Sequence, residues 1–392
     1  MRILSYMIVC LAMLLSACAT RQVVEHPESI FADRHFSQPA VPVRVEEIFR
    51  LSPAMIDYAH RLADRRWDGK SRGEALFDAL YKNGDLKIEY DAAITRNASE
   101  AFDARAGNCL SLAIMTAAIA HEMGLTVGFQ SVRVPGAWAR DGNLFFVSGH
   151  VNITLAPRRG HFSSASGDFN GLLIDFQPLL LGHRQNAKTI TENTIVAMYL
   201  NNRAAEMLAR GNINEAYWWA REAIRNDSGF VEAYNTLGVV YRRHGLASEA
   251  ETVFRLLVAR DGTNTIALSN LANALSVQGR VVESEEIKRQ LARVEPYPPY
   301  HFFDRGMTAL GENNYRLARE FFQREVDRAV ENAEFHYWLG VAHAALGELK
   351  PAQLHLAVAL EYSTTRREHD IYAAKLGIIK ARSAGRTETV YQ

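Results

Sequence analysis

The sequence predicts an α+β domain followed by an all-α solenoid of helix pairs, and three observations carry that division. Residues 101–113, AFDARAGNCLSLA, run from a loop into a strongly apolar helix with Cys109 at its start. Two later stretches, LFFVSGHVNITL from Leu144 and LLIDF from Leu172, read as strands. From Ala204 onward small residues recur every 34 positions, the length of a repeat made of two helices.

The first twenty residues are a different material. Arg2 supplies a short positive region, Ile3 to Leu15 an apolar run, and Leu15-Ser16-Ala17-Cys18 has the form of a lipobox. This resembles a bacterial lipoprotein signal, with cleavage before Cys18 and acylation of that cysteine. The competing reading is an uncleaved membrane anchor. Ala19 after the cysteine resembles the sorting pattern that sends such proteins to the inner face of the outer membrane. The expected division is a signal peptide at 1–17, a tether at 18–44, the cysteine domain at 45–192, five repeats at 193–363 and a capping helix and tail at 364–392. The tether reading rests on the polar character and the prolines of residues 19–42, which show neither helical nor strand periodicity.

Composition narrows the function classes. Lysine plus arginine and aspartate plus glutamate both number 44, and no long basic run appears, so nothing argues for nucleic acid. Hydrophobic residues at 48% and charged residues at 22% suit globular domains and set aside a disordered chain or a multi-span membrane protein. Of three cysteines, Cys10 leaves with the signal and Cys18 is lipidated, so 3 − 2 = 1 thiol remains, Cys109. In an oxidising compartment a single thiol is easier to explain as chemistry than as structure, although buried core cysteines also exist.

The first helix of the cysteine domain is expected from Pro53 at N1 through MIDYAHRLADRR, and the second over Arg72–Lys82, ended by Asn83-Gly84. A capping segment at Asn97–Glu100 leads to the Cys109 turn. Asn108 is a good N-cap, Leu110–Met123 is apolar nearly all round, and Gly124 stops the helix. A thiol in that first turn faces backbone N–H groups and the positive end of the helix dipole, which favour thiolate and can stabilise an oxyanion.

The partners of such a nucleophile follow in order. On the Leu144–Leu155 strand, His150, Asn152 and Thr154 share one face, a polar one, opposite Val151, Ile153 and Leu155. On the next strand Asp175 lies opposite Leu172, Ile174 and Phe176, and Pro178 helps to end it. Histidine stands 41 residues after the cysteine, and aspartate 25 after the histidine, giving nucleophile, base and orienting carboxylate.

A small residue and Gly before Cys at a helix start, the strand GLTVGFQSV, then His and Asp on successive strands resemble the transglutaminase-like superfamily of papain-fold cysteine enzymes. The resemblance covers about Val45 to Glu192 and implies a Cys109–His150–Asp175 triad acting through a thioacyl intermediate on an amide. It leaves peptidase, amidase and transamidase open. Many members carry His-Ala-Trp where this chain has His150-Val151-Asn152, and no Trp follows Asp175.

Other residues carry less. In the turn-rich loop PGAWARDGN, Trp138 either covers the thiol or packs on a sheet edge, and Arg105 and Arg133 could bind a substrate carboxylate. The polar segment Ala156–Gly171 joins the histidine strand to the aspartate strand, a place from which it could frame substrate. His121, His161 and His183 are scattered, HExxH and paired CxxC motifs are missing, and neither a metal nor an organic cofactor is expected. His121 lies too far along its helix to act on Cys109.

The second half shows three series in one register. Ala204, Gly238, Ala272, Gly306 and Gly340 are small. Gly211, Gly245, Gly279 and Gly347, with Asn313 in the fourth slot, mark turns. Ala216, Ala250, Ser284, Ala318 and Ala352 mark tight contacts within each pair. The spacing resembles the tetratricopeptide repeat, with AYNTLGVVYRRHGLASEAETVF the best match. Five stacked pairs bury a stripe that one pair cannot, Pro296 ends the third, and Arg366–Ala384 covers the last.

Such repeats line a groove that takes a protein or peptide partner. The sequence thus reads as a lipid-anchored envelope protein joining a cysteine hydrolase or acyl-transfer domain to a protein-binding repeat domain. The alternative is a non-catalytic scaffold or assembly factor for an envelope complex. A redox sensor at Cys109 is disfavoured because no resolving cysteine is present.

Overall fold

The computed structural model describes residues 27–39, 41–64, 69–82, 86, 88–91, 94–132, 138–141, 144–147, 150–157, 171–176, 187–363 and 366–388. The signal segment, Cys18, Arg133, His161, His183 and Pro178 lie outside the described residues, as does most of the Ala156–Gly171 segment.

The N-terminal region mixes helix and strand around one buried helix. Helix α1 (Pro53–Asp64) begins at the expected proline, and α2 (Arg72–Phe77) is opened by a Ser71–Glu74 capping box and continues as a π turn over Asp78–Lys82. A second capping box, Asn97 with Glu100, starts α3 (Ala98–Ala104). Helix α4 (Cys109–Glu122) is capped by Asn108, whose side chain accepts from the Ser111 N–H, and every residue from Cys109 to Ala120 is buried. Gly124, at φ 74°, ends it in the left-handed region that glycine enters at low cost.

Two short strands, β1 (Glu89–Tyr90) and β2 (Ala106–Gly107), pair in parallel just before α4. The main sheet is antiparallel and ordered β7-β6-β3-β8, with β3 at Leu125–Val132, β6 at His150–Pro157, β7 at Leu172–Ile174 and β8 at Ala187–Ile190. The strand expected over Leu144–Leu155 is two strands. Its first part, β5 (Leu144–Val147), pairs with β4 (Trp138–Asp141), whereas β6 begins at His150 and pairs with β3 and β7.

The C-terminal half is all helical. The pairs are α5 (Glu192–Ala209) with α6 (Ile213–Asn226), α7 (Val231–His244) with α8 (Ala247–Arg260), and α9 (Thr265–Val277) with α10 (Val281–Val294). They continue with α11 (His301–Gly311) and α12 (Tyr315–Arg328), then α13 (Ala333–Ala345) and α14 (Leu349–Glu361), and α15 (Arg366–Glu388) closes the stack. The recurring small residues lie where paired helices pack, with the closest approach in the first series. A Cβ on Gly238, Gly306 or Gly340 would lie 2.5, 2.6 or 2.8 Å from Phe254, Phe322 or Leu356 of the paired helix. Gly211, Gly245, Gly279, Gly347 and Asn313 all take positive φ at the turns. Ala216, Ala250, Ala318 and Ala352 are fully buried, and Ser284 donates its hydroxyl to the Ala272 carbonyl at 2.8 Å.

Two features depart from expectation. The apolar core is divided: one cluster runs from the first domain through Leu275, a second spans Tyr300–Ala342 and a third joins α14 to α15. The division falls at α10, a highly charged helix that buries Ser284 alone. Across it, Arg328 pairs with Glu295 and donates to the carbonyls of Tyr297 and Pro298, while the buried Glu325 accepts from the Phe302 and Phe303 N–H groups at the start of α11.

The second departure concerns residues 27–39, expected as part of a tether. They form a strap of short 3-10 turns on the first two repeats. Phe36 stacks on Tyr217 with ring centres 3.9 Å apart, Arg221 pairs with Asp33, Trp218 donates its indole N–H to Ser37 O, and Tyr241 donates its hydroxyl to Ile30 O. Polar composition hid this contact because the aromatic partners that donate to it sit 181 and 211 residues away.

Candidate active site

The site starts from the loop before α4. Gly107 is required there by space, since a Cβ would come 2.7 Å from the Ser111 Cβ. Asn108 then uses its side-chain oxygen twice, accepting from the Ser111 N–H and hydroxyl at 2.9 Å each. Cys109 is held in the first turn and is 8% exposed.

His150 enters from the first position of β6, where Val132 of β3 is its register partner. The row formed by His150, Asn152 and Thr154 is buried rather than facing water, with His150 only 3% exposed. Asp175 follows the last residue of β7, where Ile174 pairs with Ile153. The alternation puts its carboxylate on the His150 side, and His150 Nε2 lies 2.7 Å from Asp175 Oδ1.

The other ring nitrogen is left for the third member. Nε2 is taken by Asp175, and Nδ1 meets no hydrogen-bond partner at full geometry among the described residues. Cys109 nevertheless acts directly on the charge of the ring. The thiol is thus close enough to the imidazole to act on its charge, and catalytic hydrogen bonds of this kind commonly tighten when substrate binds. Burial alone would lower the His150 pKa. The hydrogen bond to Asp175 and then the pairing with Cys109 outweigh it, and the imidazole is pushed up to about 10. An imidazolium between a carboxylate and a thiol is chemically suited to holding a thiolate and returning a proton to a leaving group.

The structure therefore brings Cys109, His150 and Asp175 together. It does not bring His121 to them: His121 lies in the last turn of α4, exposed. Arg105 is exposed at the left-handed end of α3. The Trp138 backbone belongs to β4, and its side chain lies outside the described residues. No group of three or more His, Cys, Asp and Glu among the described residues could hold a metal ion. No helix among them is long and apolar enough to cross a membrane.

Sequence reasoning missed several residues. Thr95, buried, accepts from the Asn108 Nδ2 at 3.0 Å and so supports the cap of the cysteine helix. Arg96 donates its backbone N–H to the Ser111 hydroxyl at 2.8 Å and its guanidinium to Asp91 at 2.9 Å. Asn152, which alternation already placed on the His150 face, buries its side-chain oxygen without a partner among the described residues. No local pattern flagged Thr95 or Arg96, whose partners Asn108 and Ser111 lie 13 and 15 residues away.

The tetratricopeptide repeat family model matches residues 303–361. No curated protein matches the chain. Among solved structures, the pilF protein of Pseudomonas aeruginosa is 18% identical, covering 50% of this chain and 90% of its own, with a TM-score of 0.29. A thermophilic repeat protein of Thermus thermophilus is 20% identical, covering 46% and 98%, with a TM-score of 0.28. YrrB, described as a repeat protein with an unusual peptide-binding site, is 19% identical, covering 46% and 92%, with a TM-score of 0.25. With the three 34-residue series and the five helix pairs, the family match makes the C-terminal half of this chain a tetratricopeptide repeat solenoid.

Proposed function

We propose that the N-terminal region is a transglutaminase-like, papain-fold cysteine hydrolase or acyl-transfer domain, and that the repeats recruit the protein it acts on or with. The observation that carries this reading is the 2.7 Å contact between His150 and Asp175, made by an imidazole that also pairs with Cys109. A buried carboxylate that fixes one ring nitrogen leaves the other for the thiol.

In this reading Cys109 Sγ attacks an amide carbonyl, and a C–S bond forms as the carbonyl oxygen takes the negative charge. The backbone N–H of Cys109, at the positive end of α4, donates to that oxyanion. The C–N bond then breaks, His150 gives its proton to the leaving amine, and a thioester remains. Water or a second amine attacks the thioester, loses its proton to His150 and expels the thiolate. Asp175 keeps the ring oriented throughout.

The deciding experiment measures alkylation of Cys109 against pH by site-resolved mass spectrometry, in the chain lacking residues 1–18, with and without His150→Ala. Thiolate reactivity well below the ordinary cysteine pKa of about 8.5, moved upward in the variant, supports the paired nucleophile. A slow thiol indifferent to His150 sinks it and favours the scaffold reading. A Cys109→Ala protein that keeps partner binding but loses cellular function points to chemistry, while one that keeps both points to a scaffold.

Lipid anchoring through Cys18, with the protein facing the periplasm from the outer membrane, belongs to the same proposal and rests on the lipobox. Retention of the protein in the soluble fraction with an unmodified Cys18 peptide would overturn it.

A further inference from the structure

We infer that the first repeat helix sets the position, and hence the reactivity, of Cys109 through Thr95; the functional meaning of that reactivity rests on the cysteine-enzyme reading above. Thr95 is buried and held from both sides. From the cysteine side, Asn108 Nδ2 donates to the Thr95 hydroxyl at 3.0 Å. From the repeat side, three residues of α5 converge on it. Asn202 Nδ2 donates to the same hydroxyl at 3.3 Å, Arg203 Nη1 donates to the Thr95 carbonyl at 3.3 Å, and Glu206 Oε1 accepts from the Thr95 N–H at 2.7 Å. Arg203 and Glu206 are themselves paired at 2.9 Å, so the clamp on Thr95 is a closed network.

The chain of contact from α5 to the thiol is short. Asn108 adjoins Cys109, and its oxygen already holds Ser111 through two hydrogen bonds, so the amide group cannot turn without loosening the cap. Fixing Nδ2 on Thr95 locks the amide in that orientation. Asn202, Arg203 and Glu206 are on the helix that also carries Ala204, the first small residue of the repeat series. A shift of α5 on binding a partner would therefore be felt at the N-cap of the cysteine helix, with no contact between the partner and the thiol. None of the three α5 residues touches the reacting atoms; they are positioning residues.

The test uses the full chain and follows alkylation of Cys109 by site-resolved mass spectrometry across pH. Thr95→Val keeps the shape and removes the hydroxyl acceptor from both asparagines, whereas Thr95→Ser retains it. Thr95→Val should change the Cys109 rate about three- to tenfold at neutral pH, the scale of the lost Asn108 hydrogen bond that adjoins the thiol, and move the pH midpoint. Asn202→Ala should move both in the same direction, and Thr95→Ser should stay within about twofold of wild type, as rescue by the retained hydroxyl requires. Should Thr95→Val fail to fold, Asn202→Ala and Glu206→Gln on the repeat side carry the test. Wild-type rates and midpoints in the folded variants overturn the inference. His150→Ala is run beside them: a midpoint indifferent to His150 removes the paired-nucleophile reading, while the clamp is still judged by the Thr95 and α5 variants alone.

Discussion

His150 and Asp175 meet at 2.7 Å although they come from different strands, with the aspartate just beyond the end of its own. The carboxylate is 9% exposed at its side chain, so the bond is shielded from water and salt. Its hydrogen bond, with the Cys109 pairing, overrides the burial that would otherwise lower the histidine pKa.

That shift fixes the sign of one pH dependence. The folded-state pKa of His150, about 10, lies above the unfolded value of about 6.5. The protonated imidazole therefore adds stability that is full below about pH 6.5 and is lost as pH rises through about 10. Denaturant midpoints of wild type minus His150→Gln should shrink steadily across that window. A difference that grows with pH would contradict the imidazolium assignment.

His355 of the last repeat should behave oppositely. His355 ring-stacks with His336 and His343, and its Nδ1 lies 3.1 Å from Nδ1 of His336. Burial and then its two histidine neighbours push His355 down to about 4, so it is neutral in the fold. Its contribution is present above about pH 6.5 and is lost as pH falls toward 4. Acid titration followed by circular dichroism should unfold wild type earlier than His355→Leu relative to their neutral-pH midpoints.

Gly306→Ala tests close contact within the fourth repeat. Alanine gains about 1 kcal/mol of helix propensity, but its Cβ would stand 2.6 Å from the Phe322 ring, and overpacking of this kind costs about 1–3 kcal/mol. The net result is a loss of up to about 2 kcal/mol, measured by urea titration. Adding Phe322→Leu should make the alanine less harmful; an additive pair would show that the ring contact is not the cause.

The strap is tested by Phe36→Ala. Phe36 is buried on Tyr217 and borders Tyr241 and His244, so truncation should cost about 3 kcal/mol. Limited proteolysis should also cut within residues 27–39 in the variant and spare them in wild type. Equal cleavage would mean that the strap adds nothing to the repeats.

Much of this architecture was legible in local pattern. Helix caps at Asn97 and Asn108, the stop at Gly124 and the 34-residue series depend on neighbours a few positions away or on exact periodicity, and both are written in the order of residues. The split between β5 and β6 was not, because alternation records which way side chains point and not which strand lies alongside.

The sequence by itself determined the solenoid and the order of Cys109, His150 and Asp175, since repeat period, helix capping and residue chemistry are local quantities. Only the tertiary structure decided that His150 and Asp175 touch, that residues 27–39 lie on the repeats and that Thr95 joins α5 to the cap of α4. Those contacts pair residues 13 to 211 positions apart, and a hydrogen bond over such a distance is specified by the whole fold rather than by any segment of the chain.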